Sequence, residues 1–188
     1  MAQQVTTNEV KSGMKVEIDG EPFTVVSNEF FQPGKGQPVN RIKVRNLKTG
    51  RVVEKTYKAG EKLLVADVED IKMRMLYKES DGVVFMDDNT FEQLTISNNL
   101  IGDKDKWLKE EVLYDITLYK GEPIDINPPT FMEMTVVETT TGLRGDTSGR
   151  VLKPAITDTG AKIQVPIFID QGEKIKVDTR TGEYVSRL

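Results

Sequence analysis

Apolar and polar residues alternate along most of this chain in short runs, and turn pairs such as Asp19-Gly20, Thr49-Gly50, Asp81-Gly82 and Lys120-Gly121 interrupt them. A period of two puts successive side chains on opposite faces of a strand, and these pairs tolerate the positive φ of tight hairpins, so the pattern predicts a mostly β protein. Residues 14–18 and 23–26 read as one hairpin, and residues 41–45 and 51–57 as a second. Ile71, Met73, Met75 and Tyr77 fall on one strand face before Asp81-Gly82 and a return over 83–86, and the row Met73, Met75 and Tyr77 reads as core; Val112, Tyr114, Ile116 and Leu118 repeat the spacing. The one helical signal lies over 103–111, where Trp107 reads as the anchor of a short helix rather than as a base-stacking platform.

Two breaks divide the chain. Asn127-Pro128-Pro129 cannot continue a central strand, because proline supplies no ladder donor, and a basic region gives way to an acidic one at 64–67. The expected domains are therefore 1–64, 65–127 and 128–188. Stretches of roughly 60 residues suit small closed barrels, which remove exposed strand edges without a wide sheet.

The sequence contains no Cys and no His, which excludes disulfides, Cys or His zinc sites, cysteine nucleophiles and a Ser-His-Asp relay. A hydrophobic fraction of 37% beside a charged fraction of 30% is that of a folding chain. No apolar run approaches the ~20 residues of a membrane helix. The start Met1-Ala2-Gln3-Gln4-Val5 lacks the layout of a signal peptide, so the expected location is cytoplasmic, with no membrane partner.

Charge is partitioned. Residues 1–64 hold 11 Lys+Arg against 7 Asp+Glu, residues 65–127 hold 7 against 15, and residues 128–188 hold 8 of each. From Phe30 to Val53 there are six cations, Lys35, Arg41, Lys43, Arg45, Lys48 and Arg51, and no carboxylate. On a strand, Arg41, Lys43 and Arg45 share a face while Ile42 and Val44 point inward; this makes either a cationic stripe for a polyanion or an ordinary solvated face.

The string Phe30-Phe31-Gln32-Pro33-Gly34-Lys35-Gly36-Gln37-Pro38 is the most informative one. Glycines flanking Lys35 remove neighbouring side chains, and Pro33 and Pro38 restrict both shoulders, so one amine is presented at a narrow tip. The GxxxxGK[ST] spacing of a phosphate-binding loop is absent, and no helix pattern follows. By itself the string reads first as a hairpin tip with an exposed lysine.

Together these residues resemble the bacterial elongation factor P family, related to the archaeal and eukaryotic hypusine-bearing translation factor. The most specific part is the pattern K-x-A-x4-G-x2-[LIV]-x-V-P-x2-[LIV]-x2-G, filled by Lys153, Ala155, Gly160, Ile163, Val165, Pro166, Ile169 and Gly172. The ending from Lys176 to Tyr184, the tip Pro33-Gly34-Lys35-Gly36-Gln37, Arg45-Asn46-Leu47 with Thr49-Gly50, and Phe91-Glu92-Gln93-Leu94 also match. Two departures stand out: Pro38 where a small or aromatic residue is common, and Arg150-Val151-Leu152 where many members carry small residues.

The resemblance implies an SH3-like, KOW-type barrel followed by two OB-fold barrels, in an L-shaped, tRNA-like arrangement. It implies a monomeric factor, not an enzyme, that binds the ribosome between the peptidyl and exit sites and relieves stalling at consecutive prolines. Its partners would be 23S and 16S rRNA, ribosomal proteins near the exit site, peptidyl-tRNA and a lysine-modifying enzyme. Lys35 corresponds to the family's tip lysine, which takes β-lysylation or an aminopentanol-type addition; no other cofactor and no metal is implied. Pro33, Gly34, Gly36 and Gln37 would support that tip. Arg41, Lys43, Arg45, Lys48, Tyr184 and Arg187 would contact tRNA or rRNA. Gly145, Asp146 and Thr147 would form the loop near the small subunit and the exit-site codon.

Two other functions are weaker. A general single-stranded nucleic-acid-binding OB-type module calls for aromatics interleaved with cations along several strands, whereas the cations here gather beside one tip. A carboxylate enzyme calls for a paired-carboxylate scaffold, and Asp87-Asp88 beside a turn reads as a solvated loop.

Overall fold

The computed structural model describes residues 3–141 and 151–188, and they are mostly β. The strands form three antiparallel, curled sheets. The first comprises β1 (Gln4–Thr6), β2 (Lys15–Ile18), β3 (Glu21–Phe31), β4 (Val39–Asn46), β5 (Val52–Lys58) and β6 (Lys62–Val65), in the order β1-β6-β2-β3-β4-β5. Asp19 (φ 53°) and Gly20 (φ 78°) close the β2–β3 hairpin in the left-handed conformation its twist demands. The β4–β5 turn is held by Asn46, whose Oδ1 accepts from the N–H groups of Lys48 and Thr49 at 2.8 and 3.1 Å.

Alternation places Val16, Ile18, Phe23, Val25, Ile42, Val44 and Leu63 in one buried cluster with Val10. A bulge between Val25 and Ser27 leaves Val26 exposed and bends β3. The core ends at a polar pair: Asn40 Nδ2 donates to Asn28 Oδ1 (3.1 Å), and Asn28 Nδ2 donates to the carbonyls of Thr7 and Val10. Beyond that pair β3 and β4 continue to the register Phe31↔Val39, with Phe30 and Phe31 exposed.

The second sheet comprises β7 (Val68–Lys78), β8 (Gly82–Met86), β9 (Gln93–Ser97), β10 (Leu113–Tyr119) and β11 (Glu122–Asn127), in the order β11-β10-β7-β8-β9. Met73 and Met75 are buried as expected, but Tyr77 is 45% exposed and does not join them. A register shift between Met75 and Tyr77 inserts one residue, so the strand period that groups them in sequence is broken there. Asp87 and Asp88 lie at a turn whose residues 88–90 are exposed, as the sequence suggests. Asp87 Oδ1 accepts from the N–H groups of Asn89 and Thr90, and Asp88 takes Arg74 in a two-point ion pair (3.0 and 2.7 Å).

The helical segment lies earlier than the sequence suggests. One α turn, α1 (Asn98–Ile101), is capped by Ser97 Oγ accepting from the Leu100 N–H, and a 3-10 helix over Gly102–Trp107 ends before Leu108. Trp107 does more than anchor that helix. It lies in the core of the third sheet with Met132, Met134, Val136, Ile163, Val165, Ile169, Ile175 and Val177.

That sheet comprises β12 (Phe131–Thr139), β13 (Leu152–Thr157), β14 (Lys162–Pro166), β15 (Lys174–Asp178) and β16 (Glu183–Arg187), in the order β14-β13-β12-β15-β16. Two compact units are distinguished, Met1–Ile71 with Ile116–Asp125 and Lys72–Asp115 with Ile126–Leu188. Among the described residues, no helix is long and apolar enough to cross a membrane.

Candidate RNA-facing site

The candidate site is the β3–β4 ribbon and its loop over 32–38. β4 alternates without exception from Asn40 to Asn46, so Ile42 and Val44 are fully buried while Arg41, Lys43 and Arg45 stand exposed on the other face. The structure thus brings together the three cations that the sequence places on one face. It also adds what sequence distance hides. Glu29 lies directly opposite Arg41 across β3, and Glu54 opposite Lys43 across β5. Neither carboxylate forms an ion pair with those cations, and Lys35, Arg41, Lys43, Arg45 and Lys48 are all without an ion pair among the described residues.

Lys35 is exposed at the bend over 34–36, with Gly34, Gly36 and Gln37 also exposed and Pro33 half-buried. Gly36 adopts φ 140°, and a Cβ there would lie 3.2 Å from Pro33 Cγ, so a bare residue lets the two arms of the loop approach without displacing Pro33. Pro38 ties the returning arm to the sheet by accepting the Ala59 N–H at 3.0 Å. The returning arm is thereby tied to the sheet, and Lys35 sits in the exposed bend between the two arms. At its neck Arg41 lies over the Phe31 ring, its Cζ 5.1 Å from the ring centroid. Below the neck, Asn40 is 2% exposed and its Nδ2 donates to Asn28 Oδ1.

Lys48 belongs to a different cluster in the same compact unit. Its Nζ lies 5.7 Å from the Tyr119 ring centroid, and Lys120 Nζ lies 5.2 Å from the same ring. The Tyr119 hydroxyl donates to Glu17, and Lys120 pairs with Glu17 at 3.0 Å. The hydrogen bonds from Tyr119 and then Lys120 hold the Glu17 carboxyl below its ordinary value. Burial, followed by the Glu17 carboxylate, pushes the Tyr119 hydroxyl up. Glu17 thus offsets Lys120, while Lys48 has the Tyr119 ring but no ion pair among the described residues. Nothing local in the sequence joins Glu17 to Tyr119, 102 positions away.

The C-terminal candidates are less open. Tyr184 is half-buried and packs against the third-sheet core, and Arg187 pairs with Glu173 and lies over the Phe168 ring. Gly145, Asp146, Thr147 and Arg150 lie outside the described residues. The eight-position pattern that carries the resemblance is mainly architectural. Ala155, Ile163, Val165 and Ile169 are buried core, Lys153 is 5% exposed with its Nζ donating to the Thr140 carbonyl at 2.6 Å, and Gly172 donates its N–H to Val136. No group of three or more Asp or Glu side chains able to hold a metal occurs among the described residues.

Three small curled β sheets, the first carrying a basic ribbon with a bare lysine at its end, define a protein of serial KOW- and OB-type domains. Family models for the elongation factor P KOW-like domain, OB domain and C-terminal domain match residues 6–63, 68–126 and 132–187. The chain belongs to the elongation factor P family and is a translation elongation factor. It is 59% identical over 186 residues to "Elongation factor P 2" of Protochlamydia amoebophila, covering 98% of both chains. It is 54% identical, with the same coverage, to "Elongation factor P 2" of Chlamydia trachomatis. Among solved structures, "Eukaryotic translation initiation factor 5A from Methanococcus jannaschii" superposes with a TM-score of 0.56 at 24% identity, over 68% of this chain and 93% of that one. This last likeness concerns the fold.

Proposed function

We propose that this protein binds the ribosome between the peptidyl and exit sites and steadies peptidyl-tRNA, so that peptide bonds form at consecutive prolines. The observation that carries this reading is the loop, which presents Lys35 alone at the end of a ribbon whose open face bears Arg41, Lys43 and Arg45. Proline's secondary amine and fixed φ make it a poor nucleophile in a stiff nascent segment, so reactants spend little time in attack geometry. Holding the tRNA end restores that orientation without any bond being made by the protein. Lys35 extends toward the acceptor end, where a chain lengthened by β-lysylation or an aminopentanol-type group, attached by a dedicated enzyme, donates to sugar and phosphate oxygens. The bare glycines beside it keep side chains out of a confined RNA channel. Arg41, Lys43, Arg45, Lys48, Tyr184 and Arg187 supply salt-sensitive contacts to tRNA or rRNA, and the Gly145-Asp146-Thr147 loop approaches the small subunit and the exit-site codon.

The test is Lys35→Ala in reconstituted translation of a message encoding three consecutive prolines. Loss of rescue with an unchanged melting temperature is expected; full rescue refutes the tip mechanism. Intact-mass measurement of protein from its native host, with the tip peptide isolated, reads the modification directly.

A further inference from the structure

Phe31 has no task in the reading above, yet it heads the face that bears the cations. Residues opposite each other in an antiparallel pair share a face, so the pairs Phe31↔Val39 and Glu29↔Arg41 put Phe31 in line with Arg41, Lys43 and Arg45. The ring is 47% exposed and lies outside the core cluster of the first sheet. Leaving half an aromatic side chain in water forgoes hydrophobic stabilisation, and a leucine or threonine would serve a plain ribbon as well. Arg41 sits against this ring at 5.1 Å, which sets a guanidinium beside a flat π surface. An occupant that suits both features must alternate negative charge with flat apolar rings. Unstacked RNA does, with its phosphates for the cations and its bases for the ring.

We propose that Phe31, braced by Arg41, is a nucleobase-stacking platform beside the tip lysine, taking an unpaired base of the strand whose backbone the cationic stripe holds. This rests on the RNA-binding reading above and assigns it a ligand class at one side chain. Arg41 then has two tasks, orienting the ring and contributing charge, whereas Lys43 and Arg45 contribute charge alone.

The experiment titrates the full chain, as wild type, Phe31→Leu and Phe31→Tyr, with a short single-stranded oligoribonucleotide and with an abasic strand of equal length and charge. Affinity and base-proton NMR shifts are followed at low and high salt. Wild type and Phe31→Tyr are expected to favour the base-bearing strand by about tenfold and to move its base protons upfield. Phe31→Leu is expected to lose that preference while keeping its salt dependence. Equal affinity of wild type for the two strands, or an undiminished preference in Phe31→Leu, overturns the proposal. So does a Phe31→Leu defect confined to enzymatic modification of Lys35, which would make the ring a docking point for a protein. In the translation assay Phe31→Leu should fall between wild type and Lys35→Ala. Full rescue by Lys35→Ala would refute the tip mechanism and leave the strand-binding result standing, so the two failures are distinguishable.

Discussion

The β3–β4 ribbon and the third sheet both match the family, but with opposite kinds of residue. The ribbon matches through Pro33, Gly34, Lys35, Gly36 and Gln37, which project beyond the core and contribute little to its burial. The third sheet matches through Ala155, Ile163, Val165 and Ile169, which are buried and face nothing outside the protein. The longest recognisable pattern in the chain is therefore a packing pattern, while the shorter one holds the chemistry. A fold-identifying motif is not a functional site merely because it is specific. Even Lys153, the one charged residue of the long pattern, has its amine turned to a backbone carbonyl inside the protein.

Substitutions on the two sides of this contrast should separate stability from activity. The largest separation is expected between Lys35→Ala and Ile169→Ala. The first abolishes polyproline rescue and leaves the urea midpoint where it was. The second opens a cavity at a fully buried position and costs about 2–5 kcal/mol of stability, while rescue per folded molecule, assayed at low temperature, is retained. If Ile169→Ala lost rescue while fully folded, the division between packing and chemistry would be wrong.

Reversing the charge of Arg41 and Lys43 together should weaken ribosome association by about tenfold or more at low salt, with a smaller difference at high salt, because ion release drives such contacts. Equal weakening at every salt concentration would show that the stripe acts through shape. Tyr119→Phe probes a polar seam of the first compact unit and should cost about 1 kcal/mol at neutral pH, since Glu17 loses its principal donor. Glu17's carboxyl is held below its ordinary value of 4.5 in the folded protein, so its contribution is present above that pH and lost as pH falls through the lowered value. The gap between wild type and Tyr119→Phe in urea midpoint should therefore close on acidification below 4.5. Gly36→Ala is expected to have the smallest effect on stability, no more than about 1 kcal/mol, because the exposed loop can relax around the strained φ. It should still reduce rescue, since the amine is re-aimed, and unchanged rescue would show that the closure against Pro33 is dispensable.

Much of this was legible in the chain. Strict alternation from Arg41 to Arg45 predicts both the buried Ile42 and Val44 and the exposed cations, because a strand has only two faces and the apolar residues must take the inner one. The tip was equally legible, since two glycines and two prolines around one lysine leave the backbone few options. Where alternation failed, an inserted residue was the cause. Tyr77 carries the right spacing but follows a register shift, and period-two reasoning cannot foresee where a strand will bulge. The sequence neighbours of Trp107 show only a short helix, whereas the buried residues it joins begin 25 residues later with Met132.

The sequence by itself determined the class of fold, the local turns and the side chain at the tip, because each depends on interactions among near neighbours. Only the tertiary structure decided which opposite charges share a face, as Glu29 and Glu54 do with Arg41 and Lys43, and which of the cations are paired. It alone brought Glu17 to Tyr119 and seated Arg41 on Phe31. These are questions of register and of long-range approach, and the free energy that settles them comes from burying whole faces at once, not from any short string of residues.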